Sequence, residues 1–361
     1  IVEGEPGIDM LAVDPRLFGA YNSKRYLVAK NEEAYRDVFT IHYPDEERHD
    51  ARPAKTSAVY DRLKRMGAVF GQRYGWERAN WFAPDGVEPK DAWSFRRTNY
   101  FEHVGNECRR LREKVGVIDL TPFTKFEVRG PGAEAWLDGL VANKVPTKVG
   151  RIALCHALTR RGGIRTEFTI TRLGENDFYV VSAGAAERYD SDYLQKRLPA
   201  DGSVTLRNIT GSRGVFVLAG PRARDVMARL TDVPLDNKSF PWLTGQVIEA
   251  GLATDVYALR VNFVGALGWE LHFPIEYAHG LFDAVFAAGA EYGIGMAGMR
   301  AMESLRMEKS YRMWGSDLTR DNTPLEAGLA RFVRMDKGPF IGREALEQQQ
   351  KSGVPLGFVT L

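Results

Sequence analysis

Cysteine and histidine are scarce in this sequence. Its 361 residues include 2 cysteines and 6 histidines. Cys108 and Cys155 form no CxxC pair, and the histidines show neither HxxxH nor HExxH spacing, so the common zinc motifs are absent. Two separate cysteines also exclude a disulfide framework and indicate core thiols in a reducing compartment. We therefore expect no metal site.

An excess of charge of one sign and long apolar runs are also lacking. Lysine and arginine number 49 against 47 acidic residues, which gives a formal charge of +2 without a long basic run. No apolar run reaches the roughly 18 residues that a membrane span needs, and the start IVEGEPGIDM does not resemble a signal peptide. We expect neither nucleic acid nor membrane as a partner. With no GxSxG elbow, P-loop or Cys/His nucleophile signature, chemistry would depend on carboxylates and a bound cofactor.

The sequence contains the same strand–glycine–proline–helix pattern twice. The copies are KFEVRGPGAEAWL (125–137) and VFVLAGPRARDVM (215–227). The first matches the G-x-G-x-x-A fingerprint of dinucleotide sites, but the second lacks the second glycine. Both share an apolar strand, a glycine for the turn and a proline at the first helical position. We therefore interpret them as duplicated structural corners, which predict two related α+β subdomains.

The rest of the chain divides into two parts that differ in composition and periodicity. Residues 1–95 are rich in aromatic and charged residues with little periodicity, which favours extended chain lying across a neighbour over an independent globule. Beyond Tyr100, periodicity predicts regular elements. We expect helices near 103–115, 277–292 and 298–311, and strands near 152–159, 164–172, 178–183, 244–250, 257–263 and 268–273.

Several longer motifs carry a resemblance to a known family. They are IDLTPFTKFEVRGPGA, LTRRGG, VGALGWELHF, LRMEKSYRMWGSDLTRDNTPLEAGL and PFIGREALEQQ. In this order they resemble the aminomethyltransferase family, which includes the T-protein of the glycine cleavage system. Within it, the sequence is similar to the carboxyl-terminal half of dimethylglycine and sarcosine dehydrogenases. GIDMLAVDPRLFGAYN and TSAVYDRLKRMGAVFGQRYGWERANWFAP resemble the stretch that joins the flavin-binding half of those enzymes to their folate-binding half.

The resemblance implies an α+β, aminomethyltransferase-like folate-binding fold, with two related subdomains around a central cavity. Residues 1–99 would be a flavoenzyme-type segment that links to an FAD-dependent amine-oxidising half. Residues 100–345 would form the folate-binding domain, and residues 346–361 would begin a carboxyl-terminal barrel. The flavin half and most of the barrel are missing, so the chain resembles a fragment of a longer enzyme.

The implied activity is one-carbon capture. The flavin half, with FAD, would oxidise an N-methyl amine such as dimethylglycine or sarcosine. The present residues would bind tetrahydrofolate and receive the resulting iminium or formaldehyde carbon, forming 5,10-methylenetetrahydrofolate in a bacterial cytoplasm or a mitochondrial matrix. Two alternatives stay open: a non-catalytic folate-binding or interaction scaffold with a decayed site, and a folate-dependent O- or S-demethylase. The flavin domain would lie in the same chain or in a partner chain.

The resemblance assigns the pterin contacts to NFVGALGWELHF (262–273). The family has Tyr-Thr-Gly-Glu-x-Gly-aromatic-Glu here, and its tyrosine and last glutamate contact the pterin. In this chain they correspond to Phe263 and Glu270, while the first glutamate corresponds to Ala266. From the strand alone, Glu270 fits better on a solvent-exposed strand face. The resemblance favours a pterin contact instead, because a carboxylate suits the adjacent N–H donors of a pterin edge.

Two further residues carry implied folate contacts. Arg300 corresponds to an arginine that holds folate at its acidic or pterin end, and the alternative is a surface ion pair with Glu303. Glu326, in TPLEAGL, lies in a family motif, but a carboxylate at a helix start accounts for it as well.

The resemblance places the catalytic position in GGIRTEF (162–168). T-proteins have an aspartate shortly after the Gly-Gly turn, and strict register puts Thr166 there with Glu167 beside it. Adjacent strand residues face opposite sides. Either the acid has moved by one position with a bulge, which would make Glu167 catalytic, or the domain only binds folate.

Overall fold

The computed structural model describes residues 8–360. The amino-terminal elements are α1 (Lys24–Arg36), α2 (Tyr60–Arg65), β1 (Ala68–Arg73), β2 (Trp76–Phe82), α3 (Phe101–Glu113) and β3 (Gly116–Asp119). Next come β4 (Thr124–Arg129), α4 (Ala133–Leu140), β5 (Ile152–Leu158), β6 (Ile164–Gly174), β7 (Asp177–Ser182), α5 (Glu187–Gln195) and β8 (Thr205–Asn208). The last are β9 (Arg213–Ala219), α6 (Ala223–Met227), β10 (Gly245–Ala250), β11 (Ala253–Leu259), β12 (Gly268–Pro274), α7 (Ala278–Gly289), β13 (Gly295–Met296), α8 (Met299–Glu308) and α9 (Arg343–Ser352). Within residues 8–360, no helix combines the length and apolarity needed to cross a bilayer.

Two sheets with matching internal order form the body of the chain. The first sheet has the order β5–β6–β7–β4–β8, and the second has the order β10–β11–β12–β9–β3–β13. In each, a strand–Gly-Pro–helix unit leads into a three-stranded meander, and β3 pairs with β9 as β8 pairs with β4. The prediction of two related α+β subdomains is confirmed.

Both Gly-Pro corners lie between a strand and a helix, as predicted. Gly130 has φ of 123° and Gly220 has φ of 130°, a region that L side chains rarely adopt. A Cβ at Gly130 would lie 2.2 Å from the carbonyl oxygen of Ser203, and a Cβ at Gly220 would lie 2.5 Å from that of Lys114. Close backbone approach therefore accounts for both glycines.

One face of each sheet packs in its own subdomain, and the other face packs against the other sheet. On β7, Phe178 packs in the core of the first subdomain, whereas Tyr179 packs against Tyr257 of β11. On β12, Trp269 packs in the core of the second subdomain. We call the shared region the inter-sheet layer; its buried apolar and aromatic residues are Ile152, Tyr179, Val181, Ile209, Tyr257 and Leu259.

The amino-terminal segment lies across both subdomains. Leu17 is buried in a cluster with Tyr189 of α5, and Val59 is buried in the core of the second subdomain with Leu218 of β9. This packing agrees with the expectation that the segment covers a neighbour. The boundary between residues 99 and 100 stays a prediction.

Most elements predicted from Tyr100 onward are present; one strand differs in its bounds, and the elements before Tyr100 were not predicted. The strand expected at 257–263 covers Ala253–Leu259, because residues 260–267 form an irregular loop. The helix α1 was not predicted. Ser23 caps its amino-terminal end, because the Ser23 side-chain oxygen accepts a hydrogen bond from the Tyr26 amide at 3.3 Å. The buried residues of α1 include Glu33 but no apolar side chain.

Candidate functional site

Glu270 lies in the middle of β12, between β11 and β9. Its register partners are Leu259 and Val217. Because side chains alternate along a strand, Trp269 and Leu271 point into the core while Glu270 points to the inter-sheet layer. Glu270 is only 7% exposed, so it does not lie on a wet strand face.

A hydrogen-bonded chain of three side chains joins the two sheets at Glu270. Tyr179 Oη lies 2.8 Å from His272 Nδ1, and His272 Nε2 lies 3.1 Å from Glu270 Oε2. Both His272 and Tyr179 are fully buried. Among residues 8–360 no hydrogen-bond donor is recorded for Glu270 Oε1, and the side chain keeps 10% exposure. One carboxyl oxygen of Glu270 therefore contacts His272, and the other can accept a hydrogen bond from a ligand.

Burial dominates the electrostatics of this chain. It raises the pKa of Glu270 to about 8. Burial, together with the positive charges of Lys125 and Arg213, holds the pKa of His272 well below its usual range. Burial also lowers the pKa of Lys125 to about 7, although its Nζ donates to the carbonyl oxygens of Thr121 at 2.8 Å and Arg213 at 2.6 Å. His272 is therefore a neutral imidazole.

Phe263 lies in the loop that leads into β12. Its ring stacks on that of Tyr311, with centroids 5.9 Å apart, and the Arg306 guanidinium lies 5.9 Å from the ring centroid. Ala266 packs in the same apolar cluster. Asn262 Nδ2 donates to the Ala266 carbonyl at 2.8 Å, and this bond closes the turn without an acidic side chain at position 266.

Arg300 contacts the amino-terminal part of the chain. Its Nη1 lies 2.9 Å from Tyr100 Oη and 3.3 Å from Asp45 Oδ2, and the guanidinium stacks 4.0 Å above the Tyr100 ring. The alternative pair with Glu303 is not found among the described residues; Glu303 instead accepts from Arg306 at 3.0 Å. No polar or ring contact joins Arg300 to Glu270 within the part of the chain that the structure covers.

Thr166 and Glu167 point to opposite sides of β6. The register of β5 and β6 shifts beside Ala157, which leaves Arg165 as an extra residue immediately before Thr166. Thr166 is fully buried on the helix-covered face, next to Asp190 of α5. The bulge on which the Glu167 alternative depends is present next to Thr166.

Glu167 occupies the face of β6 that turns towards the inter-sheet layer. Two residues further along this face, Thr169 pairs with Val181 of that layer. Glu167 Oε2 lies 3.0 Å from Nε2 of the fully buried His156, and the carboxylate side chain remains 25% exposed. Glu167 and Glu270 thus face the same layer from opposite sheets, each backed by a buried histidine.

Glu326 has a structural explanation. Its Oε2 accepts from the Thr323 amide at 2.8 Å, while Thr323 Oγ1 accepts from the Glu326 amide at 3.2 Å. This reciprocal pair resembles a capping box. Gln349 of α9 donates to Oε1 at 3.0 Å, so Glu326 also ties α9 to the turn.

Sequence reasoning missed the residues that support Glu270. His272 stands two positions after Glu270, and period two places both on one strand face, which is a usable signal. Tyr179 belongs to the other sheet and carries no local signal. Arg306 was also missed; it is 1% exposed and donates to Glu303, to Asp317 and to a backbone carbonyl.

Comparisons with known proteins agree with the fold described above. The family described as the GCVT N-terminal domain matches residues 59–337, and the FAD dependent oxidoreductase central domain matches residues 3–57. Mitochondrial dimethylglycine dehydrogenase of Mus musculus is 37% identical over 364 residues, which cover 100% of this chain and 42% of that protein. The mitochondrial pyruvate dehydrogenase phosphatase regulatory subunit of Mus musculus is 34% identical over 98% of this chain and 41% of that protein.

A solved structure has the same fold. The crystal structure of glycine cleavage system aminomethyltransferase T from Bartonella henselae superposes with a TM-score of 0.69 and 25% identity, over 83% of this chain and 75% of that one. The chain spans about two fifths of the length of the curated relatives above.

Proposed function

The chain belongs to the GCVT N-terminal domain family, and on that premise we propose that it is the tetrahydrofolate-binding, one-carbon-accepting part of an FAD-dependent N-methyl amine dehydrogenase. The main observation that supports this proposal is Glu270, a buried carboxyl group. One of its oxygens contacts His272, and the other has no donor among residues 8–360. The dehydrogenase activity and its amine, of the dimethylglycine or sarcosine type, are parts of the same proposal.

The residues at Glu270 fit a pterin. A pterin edge carries an amino group and a ring N–H side by side, and a carboxylate accepts both as charge-assisted hydrogen bonds. Burial alone favours the protonated form, since it raises the pKa of Glu270 to about 8. Two pterin donors stabilise the ionised form, so folate binding is expected to lower that pKa. Phe263, with its ring already stacked on Tyr311, would contact the flat pterin nearby.

When bound, tetrahydrofolate supplies the nitrogens that take up the carbon, giving 5,10-methylenetetrahydrofolate. Glu167 is the proposed acid and base. It faces the same layer as Glu270, is accessible at 25%, and is oriented by His156 at 3.0 Å. Proton transfer by a positioned carboxylate contributes roughly 10²–10⁴ in rate. Thr166 has no ionisable side chain and faces α5, so we propose no proton transfer by it.

Arg300 is proposed for the acidic end of the folate. Its pair with Asp45 is 3.3 Å long, and the Asp45 side chain is 66% exposed. Such exposed pairs contribute little, about 0–1 kcal/mol. A folate carboxylate could therefore replace Asp45 at small cost while Tyr100 keeps the guanidinium in place.

The upstream FAD-containing half would supply the iminium or formaldehyde carbon, either from the same chain or from a partner chain. The match to an FAD dependent oxidoreductase central domain supports this part of the proposal and disfavours a folate-dependent O- or S-demethylase. We propose the bacterial cytoplasm or the mitochondrial matrix as its location.

Calorimetric titration with tetrahydrofolate tests the proposal. Glu270→Gln keeps the shape and replaces an acceptor by an amide donor, so loss of a charge-assisted bond of about 1.5–3 kcal/mol should weaken binding about ten- to more than a hundredfold. Glu249→Gln is the matched control, because Glu249 is an exposed glutamate on β10. Equal affinity for wild type and Glu270→Gln would refute the pterin role.

A second function is favoured by specific observations. One relative is a phosphatase regulatory subunit by name, and Ala266 and Thr166 replace two acids of the family motifs. A non-catalytic folate-binding or interaction scaffold would account for these. Tetrahydrofolate binding without one-carbon transfer in the enzyme that contains the flavin half would favour a folate-binding scaffold. No binding at all would favour an interaction scaffold.

A further inference from the structure

The chain Tyr179–His272–Glu270 admits two arrangements of its protons. In one, Tyr179 donates to His272 Nδ1 and His272 Nε2–H donates to an ionised Glu270. In the other, a protonated Glu270 donates to Nε2 and His272 Nδ1–H donates to Tyr179. The heavy-atom distances of 2.8 Å and 3.1 Å fit both. Only the first leaves Glu270 as an acceptor at every lone pair, which a pterin donor pair requires.

We propose that His272 is a positioning residue that holds Glu270 in its acceptor form, with Tyr179 fixing the imidazole as the Nε2–H tautomer. This inference rests on the proposed folate site. The phenol can orient the imidazole because its Oη lies 2.8 Å from Nδ1, and its ring lies edge-on to the imidazole, at 5.3 Å between centroids and 87° between planes. The two subdomains thus share one hydrogen-bonded chain, in which Tyr179 of the first sheet determines which nitrogen of His272 in the second sheet carries the proton.

The charges around His272 support a neutral ring. Lys125 of β4 and Arg213 of β9 bring positive charge, and Arg213 is paired with Asp255. Arg213 Nη1 also donates to the backbone carbonyl of His272 at 3.3 Å, which ties the strand position itself. A neutral imidazole carries one N–H and therefore donates from only one ring nitrogen. A donor at the other nitrogen thus determines which nitrogen carries the proton.

Nitrogen-15 NMR of histidine-labelled protein measures the tautomer of His272 independently of any one-carbon transfer activity. The His272 signals are assigned by their loss in His272→Gln. In the presence of tetrahydrofolate we expect a protonated Nε2 and an unprotonated, hydrogen-bonded Nδ1. Tyr179→Phe removes the phenol donor and should give a mixture of tautomers. With tetrahydrofolate bound, a protonated Nδ1 in the wild type, or an unchanged tautomer in Tyr179→Phe, would overturn the proposal.

Binding measurements supply the second readout. The amide of His272→Gln offers an acceptor and a donor in place of the two ring nitrogens, so tetrahydrofolate affinity should stay close to that of the wild type. His272→Leu offers neither and should weaken binding about ten- to a hundredfold. Thermal unfolding checks that each variant is folded, and if His272→Leu fails, Tyr179→Phe with its smaller loss replaces it.

The outcomes separate this inference from the proposed function. If the wild type does not bind tetrahydrofolate, the folate site is wrong, and the positioning role of His272 falls with it. If the wild type binds and His272→Leu binds equally well in a folded state, the positioning role of His272 is refuted while the site stands.

Discussion

Replacing Asp190 by asparagine should change how the stability of the chain depends on pH. Asp190 of α5 is 0% exposed and lies beside the hydroxyls of Ser182 and Thr166. Burial raises the pKa of its carboxyl from 3.8 to about 7, with the two hydroxyls opposing part of that rise. The folded chain therefore binds more protons than the unfolded chain between these two values. Stability from this group is fully present below pH 3.8 and is lost as the pH rises towards 7.

The magnitude follows from the separation of the two pKa values. Each pH unit between them corresponds to 1.36 kcal/mol, so ionised Asp190 lowers the free energy of unfolding by about 4 kcal/mol above pH 7. An asparagine keeps the size of the side chain and stays neutral at every pH. Asp190→Asn should match the wild type in acid and exceed it by up to about 4 kcal/mol in mild alkali.

Urea unfolding at a series of pH values measures this difference. Other buried groups, including Glu270 and Lys125, titrate in both proteins and cancel in the comparison. Asp232→Asn, at an exposed position, is the control and should run parallel to the wild type. A difference between Asp190→Asn and the wild type that does not grow with pH would refute the reasoning.

Three further substitutions test other parts of the structure. Gly220→Ala should cost at least about 1–3 kcal/mol in urea unfolding, because its φ is 130°, whereas Gly211→Ala, whose Cβ would meet open space, should cost less. Arg306→Met should cost about 3–5 kcal/mol, since it leaves Asp317 without its buried partner, and a loss below about 1 kcal/mol would contradict the packing described. Glu167→Gln, in the proposed enzyme that includes a flavin half, should slow the proposed formation of 5,10-methylenetetrahydrofolate by roughly 10²–10⁴ in single turnovers with unchanged folate affinity. The reverse pattern would move Glu167 from catalysis to binding.

The family, the duplicated corners and the α+β fold could be predicted because their signals are local or lie in long motifs. Gly130 and Gly220 stand where a turn demands a positive φ, and the family matches confirm the resemblance. The helix α1 was missed because its stability does not come from an apolar stripe: the residue it buries is Glu33. Strand alternation was used to separate Thr166 from Glu167 but was not extended from Glu270 to His272.

Contacts between distant segments could not be predicted. Tyr179 reaches His272 across 93 residues, and Arg300 reaches Tyr100 across 200. These pairings depend on how the sheets and the amino-terminal segment pack, which no local pattern encodes. The roles of Glu167, Phe263 and Arg300 stay predictions, as does the cofactor contact of Glu270.

A coupling measurement between Glu270 and the pterin amino group tests the central claim most directly. Wild type and Glu270→Gln are each titrated with tetrahydrofolate and with its analogue that lacks the 2-amino group, which forms a double-mutant cycle. If Glu270 accepts from that amino group, the wild type should prefer tetrahydrofolate about ten- to a hundredfold, and Glu270→Gln should bind both ligands about equally. An equal preference for tetrahydrofolate in both proteins would place the amino group elsewhere and contradict the account.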